Sequence, residues 1–413
     1  MSSRFQAPRG TFDILPAEEE VRAQVEGAAR DLFGRAGYGR IETPAFEDTE
    51  LFVRGVGEAT DIVRKEMFTF EDQGGRSVTL RPEATAPICR AYVEHGMHKL
   101  PQPVKLWSAG PFFRYEAPQA GRFRQFNQID AEVIGSDSPL VDAELIMLLD
   151  ALLSEVGVPG VHLRLSSLGS PDARVAYRAE LRAYLRAHES ELAREVRERI
   201  DTNPLRAFDS DDEGTRAVLA RAPTMLDRLE GEDADHFAEV RRLLDRSGVG
   251  YELDGTLVRG LDYYTRTVFE FTCDRLGAQS GIGGGGRYDT LVEELGGPPT
   301  PANGWAVGVE RIILALGEQH AAEARDVFVA AADGQRDQAL ALVTELRRAG
   351  LRAELDLAGR GMKGQMRHAD RLGARHAVIL DEDGSAALRD MASGEQRAVD
   401  PARVAEEVAA ARS

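Results

Sequence analysis

Hydrophobic and polar residues alternate in two ways along the N-terminal part of the chain. A helical pattern follows Pro16, with apolar positions at Val21, Val25, Ala28, Leu32 and Phe33. Pro16 suits the first turn of a helix, and Gly37 suits its end. A strand is predicted over 38–46, where Pro44 requires an edge or a bulge because proline cannot donate to a β-ladder.

The clearest strand signal is a hairpin formed by residues 104–115 and 124–134. Side chains on a strand alternate between its two faces. One face of this hairpin is therefore predicted to carry Arg114, Glu116, Gln128, Asp130 and Glu132. The connecting loop adds Arg122 and Arg124. Such a face suits an anionic ligand together with a small polar one, and it also suits a solvated strand surface of mixed charge.

Further elements define the class of the fold. The pattern predicts a short hairpin at 68–81, a buried helix from Pro139 to about residue 153 and a strand at 161–165. Strand signals are absent from 170–248, which is rich in Ala, Leu, Arg and Glu and is predicted to be a helical insertion. Hairpins combined with widely separated strands indicate a mainly antiparallel sheet with helices, an α+β fold.

A glycine run at 281–286 has no Gly-Lys-Ser or Gly-Lys-Thr after it, so it is not a P-loop. A lone run of this kind most often means close backbone packing. Residues 304–316 predict a glycine-spaced strand that leads into a buried helix. Arg311 lies at the start of that helix, where a cation opposes the helix dipole by ~0.3–1 kcal/mol. This placement makes sense if Arg311 and Arg114 bind a nucleoside triphosphate; the alternative is two ion-paired core arginines.

The C-terminal part follows a β-α-β-α-β pattern after an alanine-rich link at 320–324. Its predicted strands are 327–332, 352–356 and 377–380, and its predicted helices are 335–349, 362–372 and a last one from Pro401. This pattern is typical of a separate small α/β domain. The predicted division is a domain at 1–324, with the insertion at 170–248, and a second domain at 325–413.

The composition is that of an ordinary globular protein. The 413 residues, 43% of them hydrophobic and 29% charged, suggest two or three domains. No apolar run approaches the ~20 residues that a membrane span requires, and the N-terminus lacks the apolar core of a secretory signal. The two cysteines, Cys89 and Cys273, exclude a disulfide framework and a cysteine-rich zinc site, and they predict a cytoplasmic location. The lack of an apolar span predicts that the protein has no membrane partner.

The charge is strongly acidic but unevenly distributed. A net charge of −18 at first argues against a nucleic-acid partner. Within 347–375, however, eight Arg or Lys residues stand against three Asp or Glu residues, a local excess of five positive charges. A basic patch on an acidic protein can still bind a polyanion, so the net charge does not exclude nucleic acid.

Several segments together resemble class II aminoacyl-tRNA synthetases. Residues 113–116, with the basic loop after them, resemble motif 2, and residues 308–311 resemble motif 3. The helix and strand that lead to Pro44 resemble motif 1, the dimer motif, which implies a homodimer. Residues 259–264 and 283–288 are similar to the two signature segments of histidyl-tRNA synthetases. The resemblance covers nearly the whole chain in family order.

The resemblance implies an ATP site, with Mg²⁺ as part of the substrate complex, no metal held by the protein alone and no prosthetic group. Arg114 would clamp the α-phosphate and Arg311 the γ-phosphate. Phe126 would stack on adenine with Glu116 near it, and Arg122 would also contact the nucleotide.

A histidine site is implied by the same resemblance. Glu83, Thr85 and Gln128 would hold the α-amino end of the amino acid. Glu132 and Tyr264 would read the imidazole, since a carboxylate accepts one ring N–H and a phenol engages the other nitrogen. These residues would belong to a histidine–tRNA ligase, which forms histidyl-adenylate from histidine and ATP and then charges tRNA(His) at its 3′ end.

Two further pocket residues and one variation follow from the resemblance. Tyr263 would line the histidine pocket, and Arg259 would stand beside the histidine carboxylate and the α-phosphate. The catalytic residues implied are Arg259, Arg114 and Gln128. Asp130 stands where relatives often have a smaller or neutral residue, and its position on the polar strand face places it near the pocket.

The C-terminal domain resembles the anticodon-binding domain of class IIa synthetases, which implies tRNA as a partner. The basic stretch 347–375 would be its tRNA face, and phosphate contacts there would make binding dependent on salt. Gln119 and Arg124 of the motif 2 loop would meet the acceptor end of the tRNA.

Two alternatives to this function can be compared with the sequence. A catalytically inactive paralogue, such as the regulatory subunit of ATP phosphoribosyltransferase, uses the same catalytic-domain fold to bind histidine. Such paralogues typically lack the anticodon domain and lose signature residues, whereas Arg114, Arg259 and Arg311 are present in this chain. A class II synthetase for another amino acid is contradicted by the signature at 259–264.

Overall fold

The computed structural model describes residues 5–57, 60–257, 263–277, 279–317 and 325–411. The chain divides into two compact units, residues 1–320 and 321–413. Each unit buries hydrophobic clusters of its own. The predicted link at 320–324 lies outside the described residues.

The first unit opens with alternating helices and short strands. Its first elements are α1 (Pro16–Ala36), β1 (Gly39–Arg40), β2 (Phe46–Asp48), α2 (Thr49–Val56), β3 (Thr69–Glu71), β4 (Ser77–Leu80), α3 (Thr85–Glu94), β5 (Val104–Phe113), β6 (Gln125–Ile134), α4 (Pro139–Glu155) and β7 (Val161–Ser167). The start of α1 at Pro16 is confirmed, and Gly37 ends it in the left-handed region with φ of 77°. The single strand predicted over 38–46 is wrong, because Pro44 between β1 and β2 has no N–H for a ladder.

The central hairpin is present but its first strand is shorter than predicted. β5 pairs antiparallel with β6 along its whole length. The prediction that Arg114 and Glu116 share a strand face is wrong, because β5 ends at Phe113, although the N–H of Arg114 still donates to the carbonyl of Arg124 at 3.0 Å. There the N–H of Tyr115 donates to the carbonyl of Glu66 at 2.7 Å. The second half of β6 is buried on both faces, so its polar face is not a solvated surface.

The segment predicted to be a helical insertion is helical. It contains α5 (Pro171–Ala187), α6 (Arg194–Arg197), α7 (Glu213–Leu219) and α8 (Gly231–Ser247), with 3-10 turns at Glu189–Glu191, Pro204–Asp209 and Met225–Arg228. Tyr177, Leu181 and Leu185 of α5 pack with Ile200 and Val218 in a separate hydrophobic cluster. α8 also packs against α4, so the insertion is joined to the core of the unit.

The remaining elements complete a large sheet. They are β8 (Glu252–Leu253), β9 (Thr265–Cys273), β10 (Gly281–Arg287), α9 (Leu291–Glu294), β11 (Ala302–Gly308) and α10 (Val309–Leu316). The eight strands are ordered β1-β5-β6-β11-β10-β9-β7-β8, and β2-β4-β3 form a small sheet of their own. Neighbours in the large sheet are antiparallel except the outer pairs β1–β5 and β7–β8. The predicted α+β fold, with an antiparallel sheet in the first unit, is confirmed.

Glycines allow β10 and β11 to approach each other closely. A Cβ atom added at Gly285 would lie 2.6 Å from the Cα atom of Trp305 on the facing strand. The glycine run therefore serves close backbone packing, which is what a run of this kind most often indicates. Trp305 in turn packs with Phe33 of α1 at 5.8 Å between ring centroids.

The second unit is a small α/β unit. It contains β12 (Val327–Ala331), α11 (Arg336–Arg348), β13 (Ala353–Leu355), α12 (Met362–Arg371), β14 (His376–Leu380), β15 (Ala386–Asp390), β16 (Gln396–Val399) and α13 (Val404–Ala411). Its five strands are ordered β13-β12-β14-β15-β16, with β12 parallel to both neighbours and fully buried. The sequence did not predict β16. No helix among the described residues is long and apolar enough to cross a membrane.

Candidate active site

A cavity of about 640 Å³ opens beside β6, β10 and β11 of the first unit. The cavity wall includes ten of the residues predicted for the site: Glu83, Thr85, Arg114, Glu116, Arg122, Phe126, Gln128, Tyr263, Tyr264 and Arg311. Glu132 lies behind the wall, and Arg259 falls outside the described residues. Residues almost 200 positions apart in sequence are thus brought to one cavity, by the pairing of β6 with β11.

Arg114 is anchored at one end of the cavity. Its Nε donates to the carbonyl of Pro82 at 2.9 Å. Its guanidinium carbon lies 5.3 Å from the ring centroid of Phe126, within the range of a cation–π contact. One Nη atom is 4.0 Å from the carboxylate of Glu116. A fixed guanidinium above an aromatic ring is suited to binding an anionic group that is attached to a planar one.

Arg311 lies in the first turn of α10 and points toward the same cavity. Its Nη atoms donate to the carbonyls of Gly121, at 3.3 Å, and Gln279. Its Nε is buried and has no hydrogen-bond partner among the described residues. Burial, and then the nearby charge of Arg122, lower the pKa of Arg311. An anion bound at this end would relieve both effects, because it would supply the opposite charge.

Glu310, which the sequence reasoning did not single out, joins three elements beside Arg311. Its carboxylate accepts hydrogen bonds from Arg22 of α1 at 2.7 Å and from the backbone N–H of Asn127 on β6 at 2.9 Å. The Asn127 side chain adds a bond of 3.0 Å. α10 is therefore held in register with β6, which fixes Arg311 relative to Phe126. The sequence signal for Glu310 was its position just before Arg311, because a carboxylate is favourable at a helix N-terminus.

Glu83, predicted to bind the amino acid, lines the cavity next to Pro82, the residue whose carbonyl accepts from Arg114. Its carboxylate accepts the backbone N–H groups of Thr85 at 2.8 Å and Ala86 at 3.0 Å, at the start of α3. Burial raises the pKa of Glu83, and these two donors oppose that rise. No side-chain capping bond is present at the start of α3. The hydroxyl of Thr85 is directed elsewhere.

Glu132 is held by two hydroxyl donors. Thr85 Oγ1 donates to Glu132 Oε1 at 2.7 Å, and the phenol of Tyr288 donates to Oε2. Glu132 is 1% exposed, and burial raises its pKa well above the ordinary value. The sequence paired Glu132 with Tyr264, whereas the partners in the structure are Thr85 and Tyr288. Tyr288 lies two residues after the glycine run, and the similarity of 283–288 to a signature segment was the sequence signal for it.

Three tyrosines form an aromatic wall next to Glu132. The ring centroids of Tyr263 and Tyr264 are 4.7 Å apart, and those of Tyr263 and Tyr288 are 5.6 Å apart. All three side chains are buried. Such a wall suits a flat ligand ring, since aromatic pairs at these separations are attractive.

Gln128 and Asp130 lie between the two ends of the cavity. The Oε1 atom of Gln128 is buried and has no hydrogen-bond partner in the described part of the chain. Asp130 accepts a hydrogen bond from Ser108 at 3.2 Å. Burial raises the pKa of Asp130 to about 8, with the Ser108 bond opposing and the Glu83 charge adding to the rise. The prediction that Asp130 lies near the pocket is confirmed, since it lines the cavity.

The loop after β5 lines the cavity beside Arg311. Gln119 and Arg122 bond each other through their backbones, at 2.9 and 3.2 Å, across a tight turn that Gly121 permits with φ of 72°. Arg122 lies 3.4 Å from the Glu116 carboxylate. The guanidinium of Arg124 stacks 3.7 Å from the ring centroid of Tyr115. The loop thus has a defined shape built on short-range contacts.

The cavity also includes charged residues that the sequence reasoning missed. Asp209 and Asp211 reach it from the helical insertion, and Arg164 and Glu270 reach it from β7 and β9. Arg164 bonds Asp254 and lies 3.5 Å from Glu270. Among the described residues no group of three or more His, Cys, Asp or Glu side chains could hold a metal ion.

Comparison with known proteins agrees with this geometry. A family model described as "Histidyl-tRNA synthetase" matches residues 10–312, and one described as "Anticodon binding domain" matches residues 313–411. The histidine–tRNA ligase of Rubrobacter xylanophilus is 50% identical over 96% of this chain and 96% of the relative. That of Desulforamulus reducens is 49% identical over 95% of this chain and 96% of the relative.

Solved structures extend the comparison to the fold. The crystal structure of apo S. aureus histidyl-tRNA synthetase has a TM-score of 0.81 and 34% identity, and it covers 98% of this chain and 99% of its own. A histidyl-tRNA synthetase from Nostoc sp. PCC 7120, at 23% identity and a TM-score of 0.73, covers 99% and 100% and supports the fold alone. The predicted family resemblance is confirmed, and the chain belongs to the histidyl-tRNA synthetase family.

Proposed function

We propose that this chain is a histidine–tRNA ligase that activates histidine with ATP to histidyl-adenylate and pyrophosphate, and then transfers histidine to the 3′ end of tRNA(His). The observation that carries the proposal is one cavity lined by two kinds of side chain. Arg114, Phe126 and Arg311 are suited to a nucleotide, while Glu83 and Gln128 are suited to an amino acid.

Activation needs no side-chain nucleophile. The histidine carboxylate attacks the α-phosphate in line, and pyrophosphate leaves toward Arg311. Arg114 neutralises charge on the α-phosphate, and Arg259 is assigned to the carboxylate and the same phosphate on the family resemblance alone. Gln128 holds the α-amino group through its unpaired Oε1 atom. Positioning and charge neutralisation then supply most of the reduction in the barrier.

Histidine is selected by the buried polar group around Glu132. Its carboxylate keeps lone pairs beyond those used by Thr85 and Tyr288, so it can also accept an imidazole N–H. Tyr264 engages the other ring nitrogen, and Tyr263 packs against the ring. A competing amino acid that leaves these buried groups unpaired is rejected by roughly 10⁴-fold or more.

ATP enters as its magnesium complex, which is a substrate and not a resident cofactor. Glu116 and Glu270 line the cavity, and their charges oppose the lowering of the pKa of Arg311. Carboxylate oxygens are ligands that Mg²⁺ prefers. These two residues therefore fit a metal that arrives with the phosphates, and no prosthetic group is part of the proposal.

The segment 325–413 is proposed to bind the anticodon arm of tRNA(His), and residues 1–324, with the insertion at 170–248, to carry the chemistry. On α12, the side chains of Lys363, Arg367 and Arg371 are exposed and four residues apart, so they form one basic stripe. A stripe of this kind suits a phosphate backbone. Gln119 and Arg124 are assigned to the acceptor end.

A homodimer is proposed from the N-terminal sheet. Phe46 on β2 and Phe70 on β3 are 54% and 47% exposed on the small three-stranded sheet next to Pro44. Exposed aromatic residues on one sheet are typical of a protein interface. Sedimentation equilibrium tests this: a dimer is expected, and the double substitution Phe46→Ser with Phe70→Ser weakens it. Cytoplasmic location completes the proposal, in keeping with two free, buried cysteines.

The test of the main proposal is exchange of labelled pyrophosphate into ATP. Exchange that depends on histidine and on no other standard amino acid is expected, followed by charging of tRNA(His). Exchange driven by a different amino acid would contradict it. Histidine binding with no exchange would instead favour the regulatory paralogue.

A further inference from the structure

Helix α8 of the insertion directs two buried polar residues at the body of the first unit. Asp233 and His236 are three residues apart, so they lie on the same face of the helix. Each is buried, and each begins a set of hydrogen bonds that ends within two residues of a tyrosine of the histidine pocket. Neither residue touches the cavity itself.

The first set runs from Asp233 to the segment that carries Tyr264. Asp233 Oδ1 accepts from Nε of Arg266 at 3.1 Å, and Oδ2 accepts from the N–H of Ser170 at 2.8 Å. Arg266 has φ of 44°, a conformation that non-glycine residues seldom adopt and that persists where the surroundings enforce it. Arg174 of α5 donates to the carbonyl of Tyr264, two residues earlier. Two insertion residues, Asp233 and Arg174, therefore bond Arg266 and Tyr264, on the two sides of Thr265.

The second set runs from His236 to Tyr288. His236 Nε2 is 2.7 Å from Oδ2 of Asp142 on α4, which is fully buried. Asp142 also binds the guanidinium of Arg287. Arg287 in turn donates to Asp289 at 3.1 Å, so the two neighbours of Tyr288 in the chain are tied together. The phenol between them is the one that donates to Glu132.

We propose that helix α8 is a positioning element of the histidine pocket, in which Asp233 sets the turn that carries Tyr264 and His236 sets the segment that carries Tyr288. The inference rests on the proposed function, since it concerns the same amino-acid site. It assigns the insertion a role in histidine recognition that does not require tRNA. Buried polar networks specify one geometry when every member is satisfied, which is what a discriminating pocket requires.

The test is pyrophosphate exchange by the full chain, without tRNA, measured at varied histidine and at varied ATP. His236→Leu removes the donor to Asp142, so KM for histidine is expected to rise about tenfold or more, with KM for ATP unchanged and kcat within about threefold. His236→Gln retains a donor near the Nε2 position and is expected to restore KM for histidine. Asp233→Asn, which loses one acceptor, is expected to raise the same KM.

A matched control lies on the outer surface of the insertion. Arg228 and Glu180 form an exposed ion pair at 2.7 Å, and neither residue bonds a member of the two networks. Arg228→Gln is expected to leave every kinetic constant unchanged. A rise in KM for histidine in this control as large as in His236→Leu would show a general effect of disturbing the insertion and would overturn the assignment.

The outcomes separate this inference from the proposed function. Absence of histidine-dependent exchange in the unaltered protein would defeat the proposed function. Normal exchange in that protein, with KM for histidine unchanged in His236→Leu and Asp233→Asn, would overturn the positioning role alone, even if both variants melt at lower temperature. If His236→Leu does not fold, Asp233→Asn decides by the same measure.

Discussion

Thr85 and Glu132, 47 residues apart, share a hydrogen bond of 2.7 Å beside the cavity of the proposed amino-acid site. The first belongs to the opening turn of α3 and the second to the middle of the sheet. With Tyr288 on the other oxygen, the Glu132 carboxylate is held from two sides. The orientation of this carboxylate is therefore decided by residues that do not adjoin it in sequence.

Thr85→Val tests that relationship. Leaving a buried carboxylate oxygen without its donor costs ~1–3 kcal/mol, so histidine-dependent exchange should show KM for histidine raised about tenfold or more. Thr85→Ser retains the hydroxyl and should stay close to the unaltered protein. Equal constants for the Val and Ser variants would show that the Thr85 hydroxyl has no part in histidine binding.

Gly304→Ala should damage both stability and histidine activation. Gly304 faces Glu132 in the pairing of β6 with β11, and an added Cβ would overlap the Glu132 carboxylate and lie 2.6 Å from the carbonyl oxygen of Ala131. Such overpacking costs ~1–3 kcal/mol, measurable by urea unfolding. The control is Gly27→Ala in α1, where no atom lies within 4 Å of the added Cβ, and a gain of about 0.5–1 kcal/mol is expected there.

Asp130→Asn should change the pH dependence of stability. Burial raises the pKa of Asp130 to about 8, with Glu83 adding and with Arg81 and Arg114 opposing. As pH rises from about 4, the unfolded state releases this proton before the folded state does, so the protein loses stability up to about pH 8. Asparagine removes that loss. Thermal melts should show the Tm of Asp130→Asn rising relative to that of the unaltered protein as pH increases between those limits. A difference in Tm that stays constant with pH would contradict the assigned pKa.

Arg114→Lys should nearly abolish activation. A lysine cannot reproduce the fork that bonds Pro82 and faces Phe126, and removing such a charge stabiliser typically lowers kcat by ~10²–10³. Arg124→Lys is the matched control, since Arg124 stacks on Tyr115 away from the predicted phosphate site. Exchange by that control should stay within about threefold. A similar reduction in both variants would point to a general disturbance of the loop.

Charge reversal along α12 should separate activation from charging. The triple substitution Lys363→Glu, Arg367→Glu and Arg371→Glu changes only exposed side chains. Exchange should be unchanged, while KM for tRNA rises and the salt dependence of tRNA binding weakens by ~0.7–0.9 in logarithmic slope for each phosphate that the variant no longer neutralises. Unaltered charging would remove the α12 stripe from the tRNA surface.

Much of the fold could be predicted from local pattern. The helical spacing after Pro16, the alternation along β6 and the strand that runs into α10 each depend on neighbours within a few residues, and each is present. The hairpin that joins β5 to β6 was also correctly expected, although Arg114 and Glu116 lie beyond the end of β5. Whether a strand continues past Phe113 depends on the carbonyl of Glu66, which no local pattern reports.

The sequence by itself determined the family and ten of the residues that line the cavity, because motif spacing and residue chemistry are properties of the chain alone. Only the tertiary structure decided which of those residues meet. The register of β6 against β11 sets Gly304 opposite Glu132, and the fold then brings Thr85 and Tyr288 to its two oxygens. Buried carboxylates take whichever donors packing places within about 3 Å, and that proximity is fixed by contacts far apart in sequence.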